Sequence, residues 1–408
     1  MKKISLLVLF LSLIGCKKEY TPENKIKDDV AFLADDKLEG RQTGTEGEKA
    51  AAEYLVKRFK ELGLQPKGTE GYLQAFNFTP KTSPHDEVKF TSVAEDSSIV
   101  GTNVVGFIDN KADQTIVIGA HYDHLGYGGD GSLFREKEKA IHNGADDNAS
   151  GVALMLNLAS KLNSTNTSNN YLFIAFSGEE IGLLGSNYFV KNATLDANKM
   201  NYMINMDMVG RMKADSTLAV YGVGTSPIFK QVISASNNSF KIIENESGVG
   251  PSDHTSFYLG DIPVLHFFTG QHEDYHKPGD DSEKLNYEGV DMISSYIYDI
   301  ITDLDDNGEL AFRKTKNESE ETPRFKVGLG VVPDYLFDGK GMRIDGISED
   351  KPAQRAGLQK GDVVVKLGDS TIVDMMSYMR ALSVFEEGNK SKVKVIRDGK
   401  EVEVEIEF

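Results

Sequence analysis

Apolar and polar positions follow one another along this chain in blocks whose spacing predicts the elements. Within 24–36, Ile26, Val30 and Leu33 recur at helical spacing, and Ala51, Tyr54, Leu55, Phe59 and Leu62 line one face of a second amphipathic helix over 47–62. Gly63 is placed to end that helix, and the run from Gly40 to Thr45 separates the two. β-rich runs follow at 103–109 and 115–120, the second leading straight into His121-Tyr122-Asp123-His124. Val152 to Leu162 is apolar on most sides, as expected of a helix pressed against a sheet, and 171–177 is the continuous apolar run of a strand covered on both faces. Further strands read at 202–206, 218–221 and 263–268, and a last helix at 287–304. Strands alternating with helices predict an α/β domain over 24–304, with a mixed, mostly parallel sheet flanked by helices.

Past that helix the texture changes. Residues 305–323 are charged and nearly without apolar positions, which predicts a linker. Short strands and turns over 324–408 predict a small β-rich domain, closed by a hairpin of 392–396 and 402–408 around Asp398-Gly399. At the other end, 1–16 reads as a targeting segment: Lys2 and Lys3, an apolar stretch over 4–14, then Gly15-Cys16. The stretch is too short to span a bilayer. Leu13-Ile14-Gly15-Cys16 resembles a bacterial lipobox, which implies a lipidated Cys16 and an extracytoplasmic protein anchored to a membrane. Cys16 is the sole cysteine, so no intrachain disulfide can form.

Composition narrows the partners. Among 408 residues, 39% are apolar and 26% charged, ordinary values for a globular protein of two domains. A formal net charge of −18 argues against a nucleic-acid surface and is compatible with cationic ligands such as free amino termini.

Chemistry concentrates around Asn143-Gly144-Ala145-Asp146-Asp147-Asn148-Ala149-Ser150-Gly151. By itself this stretch suits a helix N-cap. Its company suggests more: His121 and Asp123, Glu179-Glu180, Asp207 and His276 each follow an apolar run, as ligands presented from the strand ends of an open sheet do. Two divalent ions held close together need a bridging carboxylate, with His nitrogen and carboxylate oxygen filling the other positions. His121 and Asp207 would complete one ion, Glu180 and His276 the other, with Asp147 between them. Asp123 could take the other N–H of the His121 imidazole. Glu179, projecting to a different side from Glu180, could reach a water as general base, and Gly178 allows the close turn.

In order, type and spacing this set resembles the co-catalytic di-zinc aminopeptidases of metallopeptidase family 28. The resemblance runs from Asp35-Asp-Lys-Leu-Glu-Gly-Arg41 to Ser282-Glu-Lys-Leu285 and includes Gly119-Ala-His121-Tyr-Asp123-His-Leu-Gly126, Ser252-Asp253-His254 and Tyr275-His276. It implies a zinc-exopeptidase fold, two zinc ions, peptide substrates with free N-termini, a bridging Asp147 followed by a cis peptide, and a Tyr275 hydroxyl donating to an oxyanion. Pro352 to Val365, with Val327-Gly328-Leu329-Gly330-Val331 ahead of it, resembles a PDZ domain, which implies a groove for a peptide C-terminus.

Other histidines read differently. His254 and His266 suit packed or supporting positions, and His124 and His142 suit loop or pocket-wall positions. Asp280 could buttress His276 or end a turn. His272-Glu273-Asp-Tyr-His276 spells H-E-x-x-H, but Gly270 and Pro278-Gly279 exclude the helix that motif requires. Rival functions are a glutaminyl cyclase with one zinc, a carboxypeptidase needing a basic pocket for which Arg41 and Arg211 are candidates, and a non-catalytic lipoprotein acting through its PDZ groove.

Overall fold

The structure is a computed structural model that describes residues 22–79, 89–91, 98–129, 131–134, 136, 138–163, 168–315, 326–334, 337, 339–348 and 350–408. The targeting segment with Cys16, and residues 316–323 of the segment read as a linker, lie outside the described residues.

A ten-stranded mixed sheet forms the larger domain. Its strands are β1 (Gln65–Pro66), β2 (Leu73–Thr79), β3 (Lys89–Thr91), β4 (Ile99–Ile108), β5 (Thr115–His121), β6 (Asn170–Phe176), β7 (Met200–Met206), β8 (Thr217–Tyr221), β9 (Lys241–Asn245) and β10 (Val264–Phe268). Across the sheet the order is β3-β2-β4-β6-β5-β7-β10-β8-β9, with β1 paired to β4. The middle four, β6-β5-β7-β10, are mutually parallel, so their C-terminal ends share one rim. Those four are apolar at almost every position because both faces are covered.

Alternate residues serve the two faces. Ile116, Ile118, Phe173 and Ile204 join a core with α1 (Pro22–Leu33), α2 (Glu46–Glu61), α3 (Gly151–Asn163), α5 (Phe229–Ser236) and α7 (Tyr287–Leu304). Val117, Leu172, Ile174 and Met203 pack the other way, against Phe189 of α4 (Leu184–Lys191) and Phe257 of α6 (His254–Tyr258). Each such side chain stabilises the fold by about 1.5–3 kcal/mol. Register then aligns chemistry: pairing Gly119 with Asn205 sets His121 level with Asp207, and pairing His121 with Phe176 leaves Glu179 and Glu180 just beyond the rim.

The segment from Asp305 to Thr315 departs from the linker expectation. Leu310 is buried in the sheet core and its N–H donates to Asn201 Oδ1 at 2.7 Å. Phe312 packs on Tyr258, the Arg313 N–H donates to the Thr225 carbonyl at 2.8 Å, and the Thr315 N–H to the Tyr258 hydroxyl at 3.2 Å. Two well-placed apolar side chains and three backbone hydrogen bonds fasten a strap that composition averages away.

A second, six-stranded sheet contains β11 (Val331–Pro333), β12 (Met342–Ile347), β13 (Val363–Leu367), β14 (Ser370–Thr371), β15 (Lys390–Arg397) and β16 (Lys400–Glu407). With α8 (Pro352–Arg355) and α9 (Met375–Leu382) it encloses its own core of Leu329, Ile344, Leu358, Val364, Leu382 and Val395. The β15–β16 hairpin turns where Asp398 and Gly399 both take positive φ.

Candidate metal centre

Asp147 lies between two histidines. Its Oδ1 is 3.3 Å from His121 Nε2 and its Oδ2 is 3.2 Å from His276 Nε2. Asp207 Oδ1 stands 3.4 Å from His121 Nε2, and Glu180 Oε2 3.4 Å from His276 Nε2. All five residues read from the sequence as ligands therefore meet at the rim of the sheet. The spacing tests whether they fit a metal: zinc bonds of about 2.0–2.1 Å in a tetrahedron place donor atoms about 3.3–3.4 Å apart. Both triads fit, with one oxygen of Asp147 available to each.

The surrounding chain fixes this arrangement. Asp280 ends the turn begun at Lys277, its N–H donating to the Lys277 carbonyl at 3.2 Å, and its carboxylate accepts from the N–H groups of Asp146 and Asp147 at 3.0–3.1 Å, so it buttresses the bridging loop and not His276. The Asp147–Asn148 peptide is cis. Asn148 Oδ1 accepts from the Gly151 N–H at 3.0 Å, so the stretch also caps α3. His276 directs Nε2 at the carboxylates because its Nδ1–H donates to the Gly131 carbonyl at 2.7 Å.

Asp123 differs in detail from its expected role. The backbone carbonyl of Asp123 meets His121 Nδ1 at 3.2 Å, whereas its carboxylate is 3.7 Å away, beyond hydrogen-bond reach. That carboxylate instead accepts from the Thr43 hydroxyl at 3.0 Å and the Glu179 N–H at 3.1 Å. The two-residue spacing along the strand end brings the carbonyl, and not the side chain, under the imidazole.

Electrostatics follow from crowding. Burial and the carboxylates of Asp207, Glu180 and Asp253 hold Glu179 well above the ordinary carboxylate range, against the pull of His121. Burial alone would depress His276, but Glu180 and Asp147 raise it to about 9. His121 is likewise raised against burial, chiefly by Asp207 and Glu179. Asp147 is lowered, its burial outweighed by His121 and His276. A lowered carboxylate between two raised histidines is the electrostatics of a cation site.

Three residues hold the centre in ways the sequence did not announce. Arg41, fully buried, donates to the carbonyls of Leu33, Tyr122, Asn143 and Gly144, tying the loop after β5 to the bridging loop. Burial lowers it to about 10, opposed by nearby carboxylates. Glu48 accepts from the hydroxyls of Ser177 and Tyr122 and from the Gly44 N–H. Its spacing after Thr45 spells a helix-capping pattern, a signal that conceals the contact with Ser177. His124, expected in a loop or pocket wall, is buried with a ligand atom within 4.8 Å of atoms on Asp147 and Glu180. His272 lies 3.2 Å from Asp146, and the turns over 271–278 contain no helix, as the excluded zincin motif required. His254 and His266 stack with centroids 4.4 Å apart, both buried and both lowered by burial.

A cavity opens over the centre, lined by Asp147, Glu179, Glu180, Asp207, Met208, Tyr221, Pro251, His266, Phe268, Gln271, Tyr275 and His276. Four carboxylates and no Lys or Arg stand among these residues. Neither Arg41, engaged by backbone carbonyls, nor Arg211, paired with Asp274 at 3.1 Å, lines this cavity. Tyr275 stacks on His276 with centroids 3.8 Å apart, bringing its ring to the rim of the centre.

An open α/β sheet thus presents two histidine and carboxylate triads around a shared aspartate, a candidate metal centre. Comparison with known proteins agrees: residues 103–301 match peptidase family M28 and residues 308–408 match the PDZ domain. The chain is 30% identical over 222 residues to a probable leucine aminopeptidase of Trichophyton verrucosum, covering 51% of this chain and 56% of that protein. It thus spans about half the length of such curated relatives. A Zn-dependent exopeptidase from Parabacteroides distasonis superposes with a TM-score of 0.56 at 20% identity, covering 69% of this chain and 97% of that one. The glutaminyl cyclase of Porphyromonas gingivalis gives 0.54 at 17% identity, with coverages of 69% and 98%. The shared fold alone therefore does not select the reaction.

Proposed function

We propose that the larger domain is a zinc-dependent aminopeptidase that removes N-terminal residues from peptides at a two-ion site. The observation that carries this reading is the cavity: four carboxylates and no Lys or Arg line it beside both triads, so it offers a substrate ammonium partners and a substrate carboxylate no guanidinium or lysine ammonium. His121 and Asp207 would hold one ion, Glu180 and His276 the other, and Asp147 both. When bound, the zinc ions supply Lewis acidity toward the scissile carbonyl and lower the pKa of water to about 7. Glu179 takes the proton of the attacking water on its carboxylate and returns it to the leaving nitrogen, a role that suits its raised affinity for protons. Asp123 holds the Glu179 backbone in place. The Tyr275 hydroxyl donates to the developing oxyanion. Acidic side chains around the cavity orient the free amine.

The PDZ domain is read as taking a peptide C-terminus, and Cys16 as lipidated, which would place the enzyme on an extracytoplasmic membrane face. No helix among the described residues is long and apolar enough to cross a membrane.

The test is a library of free and N-acetylated peptides offered to zinc-loaded and chelated protein. Cleavage confined to free N-termini and lost with the chelator is expected. Turnover of acetylated peptides, or cyclisation of N-terminal glutamine without hydrolysis, would replace this reading.

A further inference from the structure

Glu180 faces two histidines at once. Its Oε2 lies 3.4 Å from His276 Nε2, and its Oε1 only 2.6 Å from His124 Nδ1. His124 is 1% exposed, where an unpaired polar atom costs about 1–3 kcal/mol. Yet neither ring nitrogen of His124 nor Glu180 Oε1 has a hydrogen-bond partner among the described residues. The approach is close, but the nitrogen is not aimed along the line to the oxygen. A buried imidazole without a hydrogen bond beside two carboxylates has a nitrogen free to take a cation.

Other observations place that centre. Ligand atoms on His124, Asp147 and Glu180 lie within 4.8 Å of one another. The His124 and His276 rings meet edge to face with centroids 5.9 Å apart. Two imidazoles sharing an ion through bonds of about 2.0–2.1 Å stand roughly 5–6 Å apart. The backbone N–H of His124 donates to the Arg41 carbonyl at 3.2 Å, and the ring packs on Gly144, where at φ 55° a Cβ would lie 2.5 Å from His124 Cγ.

We propose that His124 is a third imidazole of the metal centre, ligating the ion held by Asp147, Glu180 and His276. This rests on the two-ion reading above. The two ions are then unlike. One has four protein ligands; the other, with His121, Asp147 and Asp207, has three and keeps an open position.

X-ray absorption of the zinc-loaded wild-type protein, with its zinc content measured in parallel, tests this directly. Three imidazoles shared over two zinc ions are expected; two imidazoles over two ions would overturn the proposal. A content of one zinc would overturn the two-ion reading with it, and the separate measurements tell these failures apart. Chelator competition on His124→Ala and His124→Asn adds a second readout. Asn keeps a hydrogen-bond donor toward Glu180 and lacks the imidazole nitrogen. Both variants should weaken one of the two zinc affinities at least about tenfold and leave the other unchanged. An Asn variant that binds both ions as the wild type does would reduce His124 to a hydrogen-bond partner and overturn the proposal.

Discussion

Asp123 Oδ1 accepts the backbone N–H of Glu179 at 3.1 Å, so the strand end that carries His121 also fixes the turn that carries the base. Asp123→Asn would put a donor where this oxygen and its partner receive hydrogen bonds from Glu179 and Thr43. Activity should fall about 10–100-fold, as when outer contacts of a metal site are lost, while zinc content stays at the wild-type value. Steady-state kinetics alongside metal analysis check this. Loss of zinc instead would mean that Asp123 secures the ligands more than the base.

Glu179 and Tyr275 separate proton transfer from charge stabilisation. Glu179→Gln should retain zinc and lose about 10²–10⁴ in kcat. Tyr275→Phe should lose about 10²–10³ in kcat with little change in KM, because its hydroxyl acts on charge that develops after binding. An unimpaired Gln variant would remove Glu179 from the mechanism.

Zinc uptake should expel protons. His276, raised to about 9, is protonated in the metal-free protein near neutrality, and zinc accepts only the neutral ring. Apparent affinity therefore rises as pH climbs toward about 9. Calorimetry in buffers of different ionisation heat measures the release; heats independent of the buffer would contradict it.

Glu48 makes stability depend on pH. Burial raises it from 4.5 to about 7. A carboxyl whose folded value is raised contributes stability that is fully present below the unfolded value and lost as pH rises through the folded one. The shift corresponds to about 3 kcal/mol at most. Glu48→Gln does not titrate, so between about pH 5 and about pH 8 its stability should gain on the wild type by up to that amount. Urea unfolding at both pH values reads the difference, and a gap that does not move would show that Glu48 stays ionised in the fold.

Legibility tracked the physical source of each feature. The central strands could be read because burial on both faces leaves uninterrupted apolar runs, and the five expected ligands because each follows such a run. Strand β2 was hidden: its inward row includes Gln74, held by Asn103 and the Asn192 carbonyl, which breaks the alternation. His124 gave no signal, since a histidine three residues from His121 has no period to obey, and only the folded loop brings it to Glu180. Leu310 and Phe312 are too sparse to mark a packed strap in a charged segment, although the contacts they make are specific.

Arg41 and Glu48 both precede residue 103, where the match to the peptidase family begins. Every ligand and the base lie inside that match, yet the guanidinium that ties their loops and the carboxyl beneath Ser177 do not. A recombinant fragment cut to the recognisable stretch would thus inherit the whole catalytic alphabet and none of its spelling, and should collect zinc poorly, if it folds at all.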